Sequence, residues 1–245
     1  TLPDQQTHQI DLTELNGELI DIKLNHTTQI AMKGNLNIPG QQGQSLWQLQ
    51  GESALIINEN NVLEPHFNLD LNANALNFST IGTFFTGEAV NYSIKGTSGL
   101  QLHLEGSPNR SIDFQAGLSS SGMMLLATTP YTGPIQFQTM LVSGRLQTDG
   151  DQPGIKDLSL QIDESRLAGS ISWPPDGQPF SATITLLNGN LNVAKVKKWL
   201  PDNLGALQAI RQTILDQGSI QIELAEFTLF ENSTSKREWR IDRLK

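Results

Sequence analysis

Hydrophobic and polar residues alternate with a period of two along almost the whole of this chain. The pattern is clearest where Ile20, Ile22, Leu24, Ile30, Met32, Leu36 and Ile38 are separated by residues such as Asp21, Lys23, Asn25, Gln29, Lys33 and Asn35. Successive side chains of a strand point to opposite faces, so this alternation produces one apolar face and one polar face. Residues 19–24 and 30–38 read as a hairpin with its turn near His26. Trp47 with Leu49, then Leu55 with Ile57, read as two further strands. Phe67, Leu69, Leu71, Ala73 and Ala75 form the next alternation, and Leu100, Leu102, Leu104, Ile112 and Phe114 resume it. The unbroken apolar run 123–127 predicts a strand buried on both faces. Strands follow at even spacing through 158–162, 167–173 and 180–186, and again from Ile220 to Ile241.

Two stretches depart from this rhythm. Residues 79–99 are rich in Gly and Thr and read as a long loop or a seam. Residues 194–217 carry helical spacing at Leu207, Ile210, Ile214 and Leu215, with Gly218 placed to end the helix. The alternation also changes phase at Ala75–Leu76, Leu141–Val142 and Leu186–Leu187. A slip of one residue would invert every later side chain, so a bulge or turn is required at each point. Residues 130–146 and 175–191 share one phrase, a Pro/Gly turn, an alternating strand, a phase change and Gly-X-Leu. Their spacing suggests a repeated multi-strand unit.

Composition narrows the function classes. A net charge of −9 with 16 basic residues argues against nucleic acid, which needs clustered Lys and Arg. The absence of cysteine excludes disulfides, thiolate catalysis and Cys-ligated zinc. The polar positions are dominated by neutral Asn, Gln, Ser and Thr. No apolar run is long enough to span a bilayer, and no signal peptide opens the sequence. We expect the chain to be a piece of a longer protein.

Candidate chemistry is sparse. His8, His26, His66 and His103 lack metal-ligand spacing. The stretch Gly117-Leu-Ser-Ser-Ser-Gly122 lacks nucleophile-elbow spacing and reads as a turn. Asp149-Gly-Asp151 opens like a calcium loop, but Pro153 and Leu160 at the twelfth position defeat it. Asp163-Glu164 would point to opposite faces of a strand and reads as a solvated turn. No catalytic residue, metal site or cofactor is therefore expected, and the chain reads as a non-enzyme. What remains is the apolar face, either covered by a sister sheet or left open to lipid.

Residues 157–173, DLSLQIDESRLAGSISW, followed by 179–193, PFSATITLLNGNLNV, resemble the AsmA-like family of repeating β-groove proteins of the Gram-negative envelope. That family writes an alternating strand, a polar turn, a short S-X-L-X-G-X-I strand and a strand closing on L-N-V. Residues 67–78 are similar in style, and the helical stretch near 199–220 is similar to a helix of larger members. The resemblance implies a periplasmic domain, anchored in the inner membrane by an N-terminal helix that this chain lacks. It further implies a mainly β fold: an extended, curved antiparallel sheet forming an open or half-closed hydrophobic groove, here with one short helical segment at 194–217. The implied function is non-enzymatic binding of phospholipid acyl chains, contributing to lipid transport between inner and outer membranes. The candidate groove-lining residues are Ile20, Ile22, Leu24, Ile30, Met32, Phe67, Leu69, Leu71, Ile184 and Leu186. The competing expectation is a β-sandwich adhesion or assembly module of the envelope, binding protein or glycan through its loops, with the same residues sealed inside.

Overall fold

The computed structural model describes residues 11–20, 24–37, 45–57, 61–77, 92–127, 135–148, 152–175, 181–194, 218–231 and 237–245. They form one open, curved antiparallel sheet of thirteen strands. In chain order these are β1 (Asp11–Ile20), β2 (Thr27–Asn37), β3 (Ser45–Ile57), β4 (Leu63–Asn77), β5 (Tyr92–Lys95), β6 (Thr97–Gly106) and β7 (Ser111–Ala127). They continue as β8 (Ile135–Gln147), β9 (Gly154–Ile162), β10 (Ser165–Ser172), β11 (Ser181–Asn192), β12 (Ser219–Glu231) and β13 (Arg237–Leu244). The spatial order follows the sequence, a meander from β1 to β13, with β5 alone off the path, paired to the end of β7. Among the described residues β1 and β13 end the path, β5 has β7 as its one partner, and the sheet does not close.

The alternation of the sequence becomes the register of the sheet. Directly opposed residues share a face, and the pairs are matched in polarity almost throughout. Leu49 faces Leu71, Leu71 faces Leu102, and one step along Gln48 faces Asn72 and Asn72 faces Gln101. Every substantial contact between strands is with a sheet neighbour, so no described strand lies across either face.

The required phase changes are bulges. Ala75 takes a left-handed φ of 51°, and the β4–β6 register shifts between Ala73 and Leu76. Asn188 (φ 54°) stands where the β10–β11 register shifts. Buried hydroxyls hold these sites. Ser45 Oγ donates to the Ala75 carbonyl at 2.9 Å, and Ser165 Oγ accepts the Asn192 amide at 3.1 Å. The phase change expected at Leu141–Val142 falls earlier. The extra residues sit in β7, between Ser119 and Met123, opposite Phe137 and Thr139 of β8. Leu141 is consequently carried onto the polar face.

Three further expectations are revised. The segment Trp47 to Ile57 is one strand, because Gly51 takes φ 145° and lets β3 run straight through. Its missing side chain is necessary there, since a Cβ would stand 2.0 Å from the Asn68 carbonyl oxygen. Gly117 to Gly122 is strand, not turn, within the seventeen residues of β7. Residues 92–95 and 97–99 of the expected seam belong to the sheet as β5 and β6, and 78–91 lies outside the described residues. The helical stretch 194–217 likewise lies almost wholly outside them; Val193 and Ala194 begin with helical backbone.

Candidate functional site

The apolar face is a set of ladders that cross the strands. One runs Met32, Leu49, Leu71, Leu102, Ala116, Val142, Leu160 and Leu167, each directly opposite the next, over eight strands from β2 to β10. A second runs Phe67, Gly106, Ile112, Leu146, Ile155, Ile171, Ile184, Phe227 and Ile241 over nine strands from β4 to β13. At about 4.8 Å between strands, the second ladder is about 38 Å long. A lipid tail reaches about half the ~30 Å bilayer core, so the ladder exceeds one tail.

These side chains touch one another along the ladder, yet most are only half-buried. Leu69, Leu71, Leu102, Leu104, Val142, Leu160, Ile184 and Leu186 are all of this kind. Full burial is confined to a few places, chiefly Leu118, Met123 and Phe137 at the β7 bulge and Leu191, Val193 and Ala225 where β11 meets β12. Glycines punctuate the apolar face and large neighbours fold into the gaps. A Cβ at Gly34 would meet the Trp47 indole Nε1 at 3.1 Å, and one at Gly144 would meet Phe114 Cζ at 3.2 Å. Trp47 is thus packed on its own sheet.

Of the ten candidate residues, seven meet on this face: Ile30, Met32, Phe67, Leu69, Leu71, Ile184 and Leu186. Leu24 sits in the β1–β2 turn and is 50% exposed. Ile22 lies outside the described residues. Ile20 is on the polar face, opposite Gln29, and Leu19 takes the apolar position opposite Ile30. The register is unbroken from Asn16 to Ile20, so pairing across the turn sets this phase, and the bulge between Thr13 and Asn16, where Glu14 has φ 51°, lets Leu12 share the apolar face with Leu19. The alternation from Ile20 to Leu24 therefore does not carry over into β1. The central strands β6 to β9 contribute four residues to each ladder, and the alternation at Leu100 to Phe114 and Leu158 to Ile162 is the sequence signal for them.

The polar face carries the few charges in local pairs. Arg145 Nε donates to Asp113 Oδ1 at 2.7 Å, and this carboxylate holds the guanidinium above its ordinary pKa. His103 Nδ1 lies 2.9 Å from Asp70 Oδ1, and Arg110 pairs with Glu64 at 3.2 Å. No group of three or more metal-ligating side chains occurs among the described residues. Asp163 and Glu164 have structural partners at the β9–β10 turn. Asp163 Oδ1 accepts the amides of Gln138 and Thr139, each at 2.9 Å, and Glu164 accepts from Asn192. Among the described residues no helix is long and apolar enough to cross a membrane. Compared with models of known protein families, with curated proteins and with solved structures, the chain matches none.

Proposed function

We propose that the apolar face binds lipid acyl chains and that the chain performs no chemistry of its own, serving phospholipid transport and outer-membrane homeostasis in a Gram-negative periplasm. The observation that carries this reading is the partial exposure of the cross-strand ladders, whose side chains no described strand covers. Monomeric soluble proteins rarely leave an apolar patch of more than a few hundred Å² open to water, and larger ones mark binding surfaces. A tail laid on the ladder gains about 25 cal/mol for each Å² of apolar area removed from water. The gain is of similar kind at each strand because the lining is apolar throughout, aliphatic at most positions with Phe67 and Phe227 in the longer ladder. A tail therefore meets no deep trap and slides across the strands. The AsmA-like resemblance of residues 157–193 supports the envelope setting.

Native mass spectrometry of the protein purified from a Gram-negative host, with lipid extraction in parallel, tests the proposal. Phospholipid retained by the protein and displaced by added fatty acid is the expected result. A lipid-free protein that takes up no fluorescent fatty acid would overturn it.

A further inference from the structure

The polar face holds a trough distinct from the apolar ladders. It is a shallow depression of about 800 Å³ that crosses six strands, β3, β4, β6, β7, β8 and β9. Five strand spacings of about 4.8 Å give it a length of about 24 Å, so it is long and narrow. Its axis is one register row: Gln48, Asn72, Gln101, Gly117, Leu141 and Gln161, each directly opposite the next. A second row, Gly99, Ser119 and Thr139, runs beside it.

Three features separate this trough from a merely solvated sheet face. First, none of its fifteen lining residues is charged, and it adjoins the depression that holds Asp70 and His103 through the shared Asn72, Gln101, Gly117 and Leu141. The other depressions described on this face include Glu18 and Lys33, or Asp70 and His103, or Glu52 and Glu105. Second, Gly99 opens part of its floor, where backbone replaces side chain, whereas Leu141 Cδ2 lies over Gly117, 3.0 Å from where a Cβ would stand. A Cβ at Gly99 would meet nothing nearer than 3.7 Å, so the site is open above it. Third, two leucines break the polar alternation of this lining: Leu46, 51% exposed at one side, and Leu141, 44% exposed within the axis row and folded over Gly117.

We infer that this trough binds a linear, uncharged oligosaccharide. Asn and Gln amides offer both donors and acceptors, as sugar hydroxyls do, so the two match without a charged partner. Leu46 and Leu141 supply apolar patches against which the C–H surface of a sugar ring packs. A polyanionic glycan finds no cation in the trough, and a peptide strand finds no free sheet edge there, because all six strands are interior. The inference is independent of lipid binding, since the two sites occupy opposite faces of the same strands.

The test is NMR titration of the isotopically labelled protein with chitohexaose and with maltoheptaose, against polygalacturonate as an anionic control. Saturable shifts at the side-chain amides of Gln48, Asn72 and Gln101 and at the Gly99 and Gly117 backbone, for at least one neutral probe, are expected. Gly99→Val should fill the floor and weaken binding at least about tenfold. Gln101→Ala, which leaves the backbone untouched, should weaken it by a few fold, the loss of one neutral hydrogen bond. Leu69→Asp on the other face should leave it unchanged. Absence of saturable shifts with both neutral probes, equal binding of polygalacturonate, or indifference to both Gly99→Val and Gln101→Ala would each overturn the assignment.

Discussion

Replacing Leu69 with Asp separates an open apolar face from a sealed one. Leu69 lies in the middle of β4, opposite Gly51 on β3 and Leu104 on β6, and is half-buried. Full burial of a leucine side chain is worth about 1.5–3 kcal/mol, so the partial burial seen here is worth about 1–2 kcal/mol. The poor strand propensity of Asp adds up to about 1 kcal/mol. The carboxylate keeps access to water and incurs no large desolvation cost. The expected loss is therefore about 2 kcal/mol, a fall in Tm of about 4–8 °C for a chain of this size. Under a covering layer the same carboxylate would be buried without a partner, costing several kcal/mol out of a typical total of 5–15. Thermal melts followed by circular dichroism, at low protein concentration and after delipidation, read the difference. A variant that retains its β spectrum, melts within that range and no longer holds a fluorescent fatty acid agrees with the reasoning. One that is unfolded at 25 °C refutes it, because the face would then be a closed interior.

Other outcomes follow from single contacts. Asp163→Ala removes the acceptor of two backbone amides and places a Cβ residue without a helpful side chain at φ 50°, so urea denaturation should show a loss of about 3 kcal/mol, with Asp163→Asn recovering part of it. Gly169→Ala would set a Cβ 1.9 Å from the Thr185 carbonyl oxygen and should separate β10 from β11, seen as lost amide protection in both strands, whereas Gly99→Ala should shift stability by less than about 1 kcal/mol. Asp242 accepts hydrogen bonds from Thr228 and Arg240, which lower its pKa below the ordinary carboxylate value. Its folded pKa being the lower one, its contribution is present above the unfolded pKa near 4 and is lost as pH falls through the folded value. The stability gap between wild type and Asp242→Asn, measured by urea titration at several pH values, should therefore be constant above about pH 5 and close toward pH 2.

The sheet and its polarity were legible because alternation is a local signal and each strand pairs with its sequence neighbour. The ladders follow once register is known, which explains why Ile30, Met32, Leu69 and Leu71 share one face. Phase was harder. At several bulges a residue other than glycine, Glu14, Ala75 or Asp157, takes the left-handed conformation, so composition gives no warning of the phase change there. Gly51 and Gly117 misled in the opposite sense. Glycine usually punctuates strands, but in β3 and β7 it relieves close approach within an unbroken one. The polar trough was invisible beforehand, since it depends on which amides stand side by side across six strands, a matter of register alone.

The meander has a consequence for how the molecule comes apart. With contacts confined to adjacent strands, its cohesion is a sum of neighbour terms along one dimension, as in solenoids. Damage stays local: loosening β1 or β13 leaves β7 and β8 with both companions intact. Such an array frays inward from its margins, and lengthening it by whole hairpins changes its reach without disturbing what already stands.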